Sequence, residues 1–200
     1  EVVFLSISSG LSGTYQNAVI AAQDLPGVYP VDSQQLTTGM GEMVLAACGM
    51  RDQGMDAASI ARAMEEMIPR VNVSFVLDTL EYMWKGGRCT GVTAFGANLL
   101  NLKPCIEMRK GKLEVCKKYR GSIEKVYEKY IAERLAGKTI DPTYFFITTS
   151  SAPSPELAQR LEGAVRKAVP EVREIFFTRT GCTVTSHCGP GTMGVLFVEA

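Results

Sequence analysis

The sequence predicts an α/β chain in two parts. A parallel-sheet α/β layer, entered without its first strands, covers residues 1–70, and an α+β part with a mixed or antiparallel sheet covers residues 71–200. Three observations predict this. Strand-like and helix-like stretches alternate up to about residue 70, a hairpin pattern appears between Cys105 and Lys117, and the segment after Glu174 offers short strands separated by glycine turns. With 200 residues, 46% hydrophobic and 21% charged, and a mean hydropathy of +0.06, the chain can bury one sizeable core or two small ones. Disordered and collagen-like classes are excluded.

In the first part, Val2 to Ile7 is an apolar run expected as a strand, Ser8 to Gly13 a polar loop, and the stretch to about Asp24 a helix with Tyr15, Ala18, Val19 and Ala22 on one face. Val28 to Val31 predicts a second strand running into the turn Asp32-Ser33. Helices follow over about Gly39–Met50 and Asp56–Ile68, the latter with Ile60, Ala61, Met64, Met67 and Ile68 at helical spacing. In the second part, Val73–Leu77 predicts a strand. Thr79–Lys85 is expected as a helix stopped by Gly86-Gly87, and Val92–Leu100 as a further helix ending near Lys103-Pro104. Cys105–Met108 and Leu113–Lys117 flank Arg109-Lys110-Gly111-Lys112 as a hairpin. A helix over Ser122–Leu135 and a strand over Tyr144–Thr148 follow. Ser154-Pro155-Glu156 then opens a helix with a cap, a first-position proline and a first-turn acid. Glu174–Thr178, Thr183–Ser186 and Gly194–Val198 are expected as the closing strands.

Lys plus Arg equals Asp plus Glu at 21 each, so net charge gives no reason to bind nucleic acid or anionic lipid. The charge is nonetheless uneven: residues 71–140 hold 13 basic and 7 acidic side chains, against 3 and 8 in residues 1–70. No apolar run approaches the roughly 20 residues of a membrane helix, so no integral membrane association is expected. Six cysteines without a CxxC pair or a secretory signal argue for reduced thiols and a cytoplasmic setting.

Several clusters are candidates for chemistry. The loop Ser8-Ser9-Gly10-Leu11-Ser12-Gly13 joins a strand end to a helix start, where free backbone N–H groups and the helix dipole favour an anion; no acidic residue lies between Val2 and Gln23. It lacks both the Gly-Lys-Ser/Thr of a nucleotide loop and the dinucleotide glycine spacing, and no cofactor is expected. Arg88 follows the helix-ending Gly86-Gly87 and has the geometry to pair with a carboxylate or phosphate. His187, the sole histidine, stands in Thr185-Ser186-His187-Cys188-Gly189-Pro190-Gly191 between an expected strand and a turn. With only Cys182 and Cys188 nearby, no metal site is expected. A Ser-His-Asp set can be composed from Ser9 or Ser12, His187 and Asp32 or Asp78, but the sequence has no Gly-x-Ser-x-Gly elbow. Phe95, Leu99, Leu100 and Leu102 with Tyr82, Met83 and Trp84 are either a hydrophobic pocket lining or ordinary core. The basic hairpin, with Arg109, Lys110, Lys112, Lys117 and Lys118, is either a solvated face or a docking surface for an acidic partner.

Four motifs together carry a resemblance: Ile7-Ser8-Ser9-Gly10-Leu11-Ser12-Gly13-Thr14-Tyr15-Gln16; Leu80-Glu81-Tyr82 with Lys85-Gly86-Gly87-Arg88; Leu102-Lys103-Pro104; and His187-Cys188-Gly189-Pro190-Gly191. In this order and spacing the chain resembles the DegV family of bacterial fatty-acid-binding proteins. The resemblance implies a further N-terminal stretch ahead of Glu1, carrying the first strands and a Thr that helps hold the ligand. It also implies a two-domain protein that holds one long-chain fatty acid between its domains, with the tail buried and the carboxylate at the mouth. The family is similar to the substrate-binding subunits of fatty acid kinases, which pass the carboxylate to a separate ATP-using subunit. Carried over by motif, the Ser8-Ser9 hydroxyls, foremost Ser9, with Gly10 in the same loop, hold the carboxylate; Arg88 lies near the head group and His187 hydrogen-bonds to it. No residue is then catalytic, and the implied partners are the fatty acid and a kinase subunit. Two other classes stay open: a serine acyl hydrolase using Ser9 or Ser12 with His187, and a regulatory module sensing a small carboxylate or phosphate.

Overall fold

The structure, a computed structural model, describes residues 1–87 and 102–200. The helix expected over Val92–Leu100 and the candidate Arg88 lie outside the described residues. The chain groups into two compact units, Glu1–Asn72 with Met108–Lys112, and Val73–Glu107 with Leu113–Ala200.

In the first unit β1 (Val2–Ser6) and β2 (Val28–Asp32) pair in parallel, Val2 opposite Val28 and Ser6 opposite Asp32. Helix α1 (Thr14–Ala22) makes the crossover between them, as a parallel pair requires. Helix α2 (Thr38–Asp52) follows β2, and α3 (Ala57–Met67) is started by Asp56, whose side chain accepts from the Ser59 N–H at 2.8 Å. The apolar stripe expected on α3 is the face it buries: Ile60, Ala61 and Met64 pack away from solvent with Val31 and Met43. By contrast β1 shows Val2 at 53% and Phe4 at 39% exposure.

In the second unit the sheet order is β5-β4-β3-β8-β6-β7, from β3 (Val71–Val76), β4 (Leu102–Arg109), β5 (Lys112–Arg120), β6 (Tyr144–Thr149), β7 (Glu174–Arg179) and β8 (Met193–Val198). The sheet is mixed: β3 pairs with β4 and β6 with β8 antiparallel, while β6 and β7 are parallel. The hairpin turn between β4 and β5 is Lys110-Gly111, both at positive φ (47° and 75°), the geometry that keeps the twist of a two-residue connection. Helix α4 (Glu81–Gly86) ends on Gly87 in the left-handed region at φ 65°. Helix α5 (Ile123–Leu135) and α6 (Pro155–Ala168) contribute Tyr127, Tyr130, Ile131, Leu161 and Val165 to a core with Phe145, Ile147, Val195 and Phe197, in which the rings of Phe145 and Phe197 stack at 5.6 Å. Full burial of each such side chain contributes about 1.5–3 kcal/mol. Ser154 caps α6 by accepting from the Leu157 N–H, as the Ser-Pro-Glu signal implies.

One expected element is overturned. Thr183–Ser186 is not a strand but the middle of helix α7 (Cys182–Cys188), closed by Thr185 N–H to Gly181 O at 3.0 Å and Gly189 N–H to Thr185 O at 2.7 Å. The run Thr-Val-Thr-Ser favours a strand locally, but that preference is worth only tenths of a kcal/mol per residue. Packing outweighs it: α7 lies against α4, and Cys188 is buried. His187 therefore stands in the last turn of a helix.

Tyr130 joins α5 to the centre of this sheet. Its hydroxyl donates to Ser74 O at 2.7 Å, pairs with Ser74 Oγ at 2.7 Å and accepts from the Val195 N–H at 3.1 Å. Complete burial pushes the phenol well above its ordinary pKa and keeps it neutral. Tyr130→Phe strands the Val195 N–H and Ser74 without this partner. It is expected to cost about 1–3 kcal/mol, read as a lower urea midpoint at unchanged slope.

Candidate functional site

The expected sites fall in both units, and each cluster is built separately. In the first unit the loop Ser8–Gly13 leaves β1 beside the loop that leaves β2, because parallel strands end at the same edge. Ser8 is fully buried; its N–H donates to Gln35 O at 2.9 Å and its hydroxyl to Gly111 O at 2.6 Å. The backbone approaches closely here, since a Cβ on Gly10 would sit 2.4 Å from Gly111 O. Asp32 then organises the next residue: Oδ1 accepts from the Ser9 N–H at 3.0 Å and the Gln34 N–H at 3.1 Å, and Oδ2 accepts from the Ser9 hydroxyl at 2.5 Å.

Most of the remaining loop donors are also engaged. Gly10 N–H meets Ser8 Oγ, Leu11 and Ser12 N–H meet Ser8 O, and Thr14 N–H meets Ser12 Oγ. The expectation that no acid competes here is thus corrected: no acidic residue lies between Val2 and Gln23, but Asp32, distant in sequence, supplies a carboxylate to this loop, and several of the loop's N–H groups are bonded internally. Two non-glycine residues just beyond it, Gln34 at φ 50° and Thr37 at φ 47°, adopt the left-handed region, which is costly for a β-branched Thr.

In the second unit the later motifs meet one another. The His187 ring lies against Gly86, where a Cβ would be 2.2 Å from Nδ1. Tyr82 lies against Gly189, where a Cβ would be 2.3 Å from the ring, and Asp78 lies 3.0 Å from the Cβ position of Gly191. Lys103 of the Leu-Lys-Pro motif reaches the same place, its Nζ 2.5 Å from Asp78 Oδ1 and 3.1 Å from Asp78 O. Tyr127 donates to Gly191 O at 2.8 Å, and Thr192 Oγ1 to Cys188 O and Gly189 O. These contacts explain the glycines physically: each stands where a side chain occupies the space of its missing Cβ.

His187 Nδ1 is buried and has no hydrogen-bond partner among the described residues, so steric contact rather than a hydrogen bond fixes the ring. A buried ring nitrogen without a partner is costly and invites a ligand or water. Gly87, just before Arg88, supplies the left-handed turn expected for it, although Arg88 itself lies outside the described residues. Of the expected apolar lining, Met83 is buried and Trp84 is 61% exposed, while Phe95, Leu99 and Leu100 lie outside the described residues. The hydroxyls considered for nucleophilic chemistry are held by Asp32 (Ser9) and Thr14 (Ser12). No group of three or more His, Cys, Asp or Glu among the described residues is arranged to hold a metal, and no described helix is long and apolar enough to cross a membrane.

The family model described as "Uncharacterised protein, DegV family" matches residues 1–200. The chain belongs to the DegV family. A DegV domain-containing protein of Caldanaerobacter subterraneus subsp. tengcongensis is 30% identical over 200 residues, covering 99% of this chain and 70% of that relative. Another, from Streptomyces coelicolor, is 29% identical and spans 98% of this chain and 69% of the relative. Among solved structures, a DegV family protein from Thermus thermophilus, described as fatty-acid binding, matches the whole chain and 71% of its own at 32% identity and a TM-score of 0.84. DegV from Bacillus subtilis, described as a fatty acid binding protein, matches 99% of this chain and 71% of its own at 26% identity and a TM-score of 0.77. The Streptococcus pneumoniae fatty acid kinase B3 protein loaded with linoleic acid covers 99% of this chain and 71% of its own at 19% identity; its TM-score of 0.84 shows the shared fold.

Membership of the DegV family accounts for the order of the four motifs, and the contacts above show why three of them need each other. Gly86→Ala would drive its methyl group into the His187 ring and Gly189→Ala into Tyr82, the latter also from φ 77°. Both are expected to lower stability by about 1–3 kcal/mol, whereas Gly163→Ala, with no atom near its Cβ position, is expected to be neutral or stabilising in thermal unfolding.

Proposed function

We propose that this chain binds a long-chain fatty acid in the cytoplasm and presents the carboxylate to a separate kinase subunit for acyl-phosphate formation. The observation that carries the reading is the whole-chain likeness, at 32% identity, to the Thermus thermophilus protein described as fatty-acid binding. The chemistry of the family motifs supports it. A hydroxyl at Ser9, a guanidinium at Arg88 and the uncommitted imidazole of His187 are the groups that recognise a carboxylate, while Ser8 and Gly10 shape the loop that carries Ser9. Burying the alkyl tail contributes about 0.8 kcal/mol per methylene, so the tail dominates affinity and the polar groups set orientation. The protein then needs no catalytic residue of its own, because phosphoryl transfer belongs to the partner.

Native mass spectrometry of the purified protein, with a lipid extract of the same sample, is expected to show a non-covalent long-chain fatty acid. A displaceable short acid in its place would mean a sensor of small carboxylates, and fluorophosphonate labelling of Ser9 or Ser12 a hydrolase. Arg88→Ala and His187→Ala are each expected to weaken binding of the acid by about tenfold, the scale of one charge-assisted hydrogen bond, and binding of its methyl ester by less. Equal losses for both ligands would assign these residues to folding. For the kinase, the exposed hairpin cations are the proposed docking face. Combined Lys110→Glu and Lys112→Glu is expected to reduce kinase-dependent phosphorylation with fatty acid binding retained, and unchanged phosphorylation would remove this face from the interface.

A further inference from the structure

The Ser9 hydroxyl has a single proton, and in this structure Asp32 holds it. A carboxylate arriving at Ser9 therefore meets an oxygen lone pair rather than a donor, with a second carboxylate behind it. We propose that Asp32 is the positioning residue that sets how tightly the ligand's carboxylate is held, by competing with it for the Ser9 proton. This rests on the reading that Ser9 contacts the head group. Asp32 is anchored for such a role independently of the hydroxyl, because its Oδ1 accepts two backbone N–H groups, from Ser9 and from Gln34. Its Oδ2 meets only the hydroxyl among the hydrogen bonds described for it. Loss of that proton to a ligand leaves the loop held by Oδ1 while the two carboxylates face each other across Ser9. The ligand then gains one hydrogen bond at the cost of another and of like-charge repulsion, so the head group is held loosely enough to be handed on.

The substitution Asp32→Asn separates the two roles of the carboxylate. The Asn oxygen still accepts from the backbone N–H groups of Ser9 and Gln34, but its amide now donates to Ser9 Oγ, which turns the hydroxyl proton outward, and the charge is gone. The experiment measures equilibrium binding of a long-chain fatty acid and its methyl ester to the wild-type protein, Asp32→Asn, Ser9→Ala and the double variant, with circular dichroism to verify folding. Asp32→Asn is expected to bind the acid about tenfold more tightly, with a smaller gain for the ester, and most of the gain is expected to vanish in the Ser9→Ala background. Should Asp32→Asn bind the acid no more tightly than wild type, the proposal falls while fatty acid binding stands. A gain that survives intact without the Ser9 hydroxyl also overturns it, since charge alone would then be acting. If none of the four proteins binds the acid, the proposed function and this inference fall together. Asp32→Ala, which releases both backbone contacts, is expected to weaken acid and ester alike and so reports the loop's structural role.

Discussion

The second unit depends on the buried hydroxyl of Tyr130. It ties α5 to both central strands, through Ser74 on β3 and Val195 on β8. A donor and two acceptor positions are all used, so the phenol is buried without an unmet hydrogen bond, and the strands it joins are held side by side. The close approach of those strands is visible again at Gly194, whose Cβ position lies 2.7 Å from Ser74 O. Much of the cluster described in this unit hangs from these two strands. Asp78 and α4 follow β3; α7, Gly189 and Gly191 precede β8. Adjacent strands thus deliver motifs far apart in sequence to one place, where Gly86, Gly189 and Gly191 remove the methyl groups that would keep His187, Tyr82 and Asp78 out.

The two candidate clusters differ in a way that bears on function. In the Ser8–Gly13 loop most donors have an internal acceptor, and a resident carboxylate, Asp32, takes three bonds, two from Ser9 and one from Gln34. His187 is the opposite case, a buried nitrogen with no partner among the described residues and a ring fixed by packing. A network that must be exchanged favours release, whereas an unmet polar atom favours capture. The proposed function rests first on the likeness to fatty-acid-binding relatives, and the unpartnered nitrogen of His187 supports it.

Much of this was legible in the sequence, and the reasons are local. The helix over 57–67 is declared by Asp56 and a repeating apolar stripe, the helix from Pro155 by its cap, and the hairpin by Lys110-Gly111 between alternating residues. Each of these signals is physics within a few residues. Where the local signal was weak, tertiary packing overrode it: Thr183–Ser186 has strand-favouring residues yet lies within a helix against α4. The role of Asp32 was hidden for a related reason. Nothing between Val2 and Gln23 announces an acid, and its partnership with Ser9 follows only from the parallel pairing of Ser6 with Asp32. A parallel pair places the two following loops at one edge, and that was the available signal.

By itself, then, the sequence determined most of the described element types, with Thr183–Ser186 the exception, the α/β character of the fold and, through the order of its motifs, the DegV family. These depend on periodicity, caps and turn chemistry, which act over distances of a few residues along the chain. Only the tertiary structure decided which donors are already spent, which ring nitrogen is left over, and which glycines make room for which side chains. Those outcomes are set by strand pairing and close packing between residues remote in sequence, where a hydrogen bond or a missing methyl group has meaning only once both neighbours are in place.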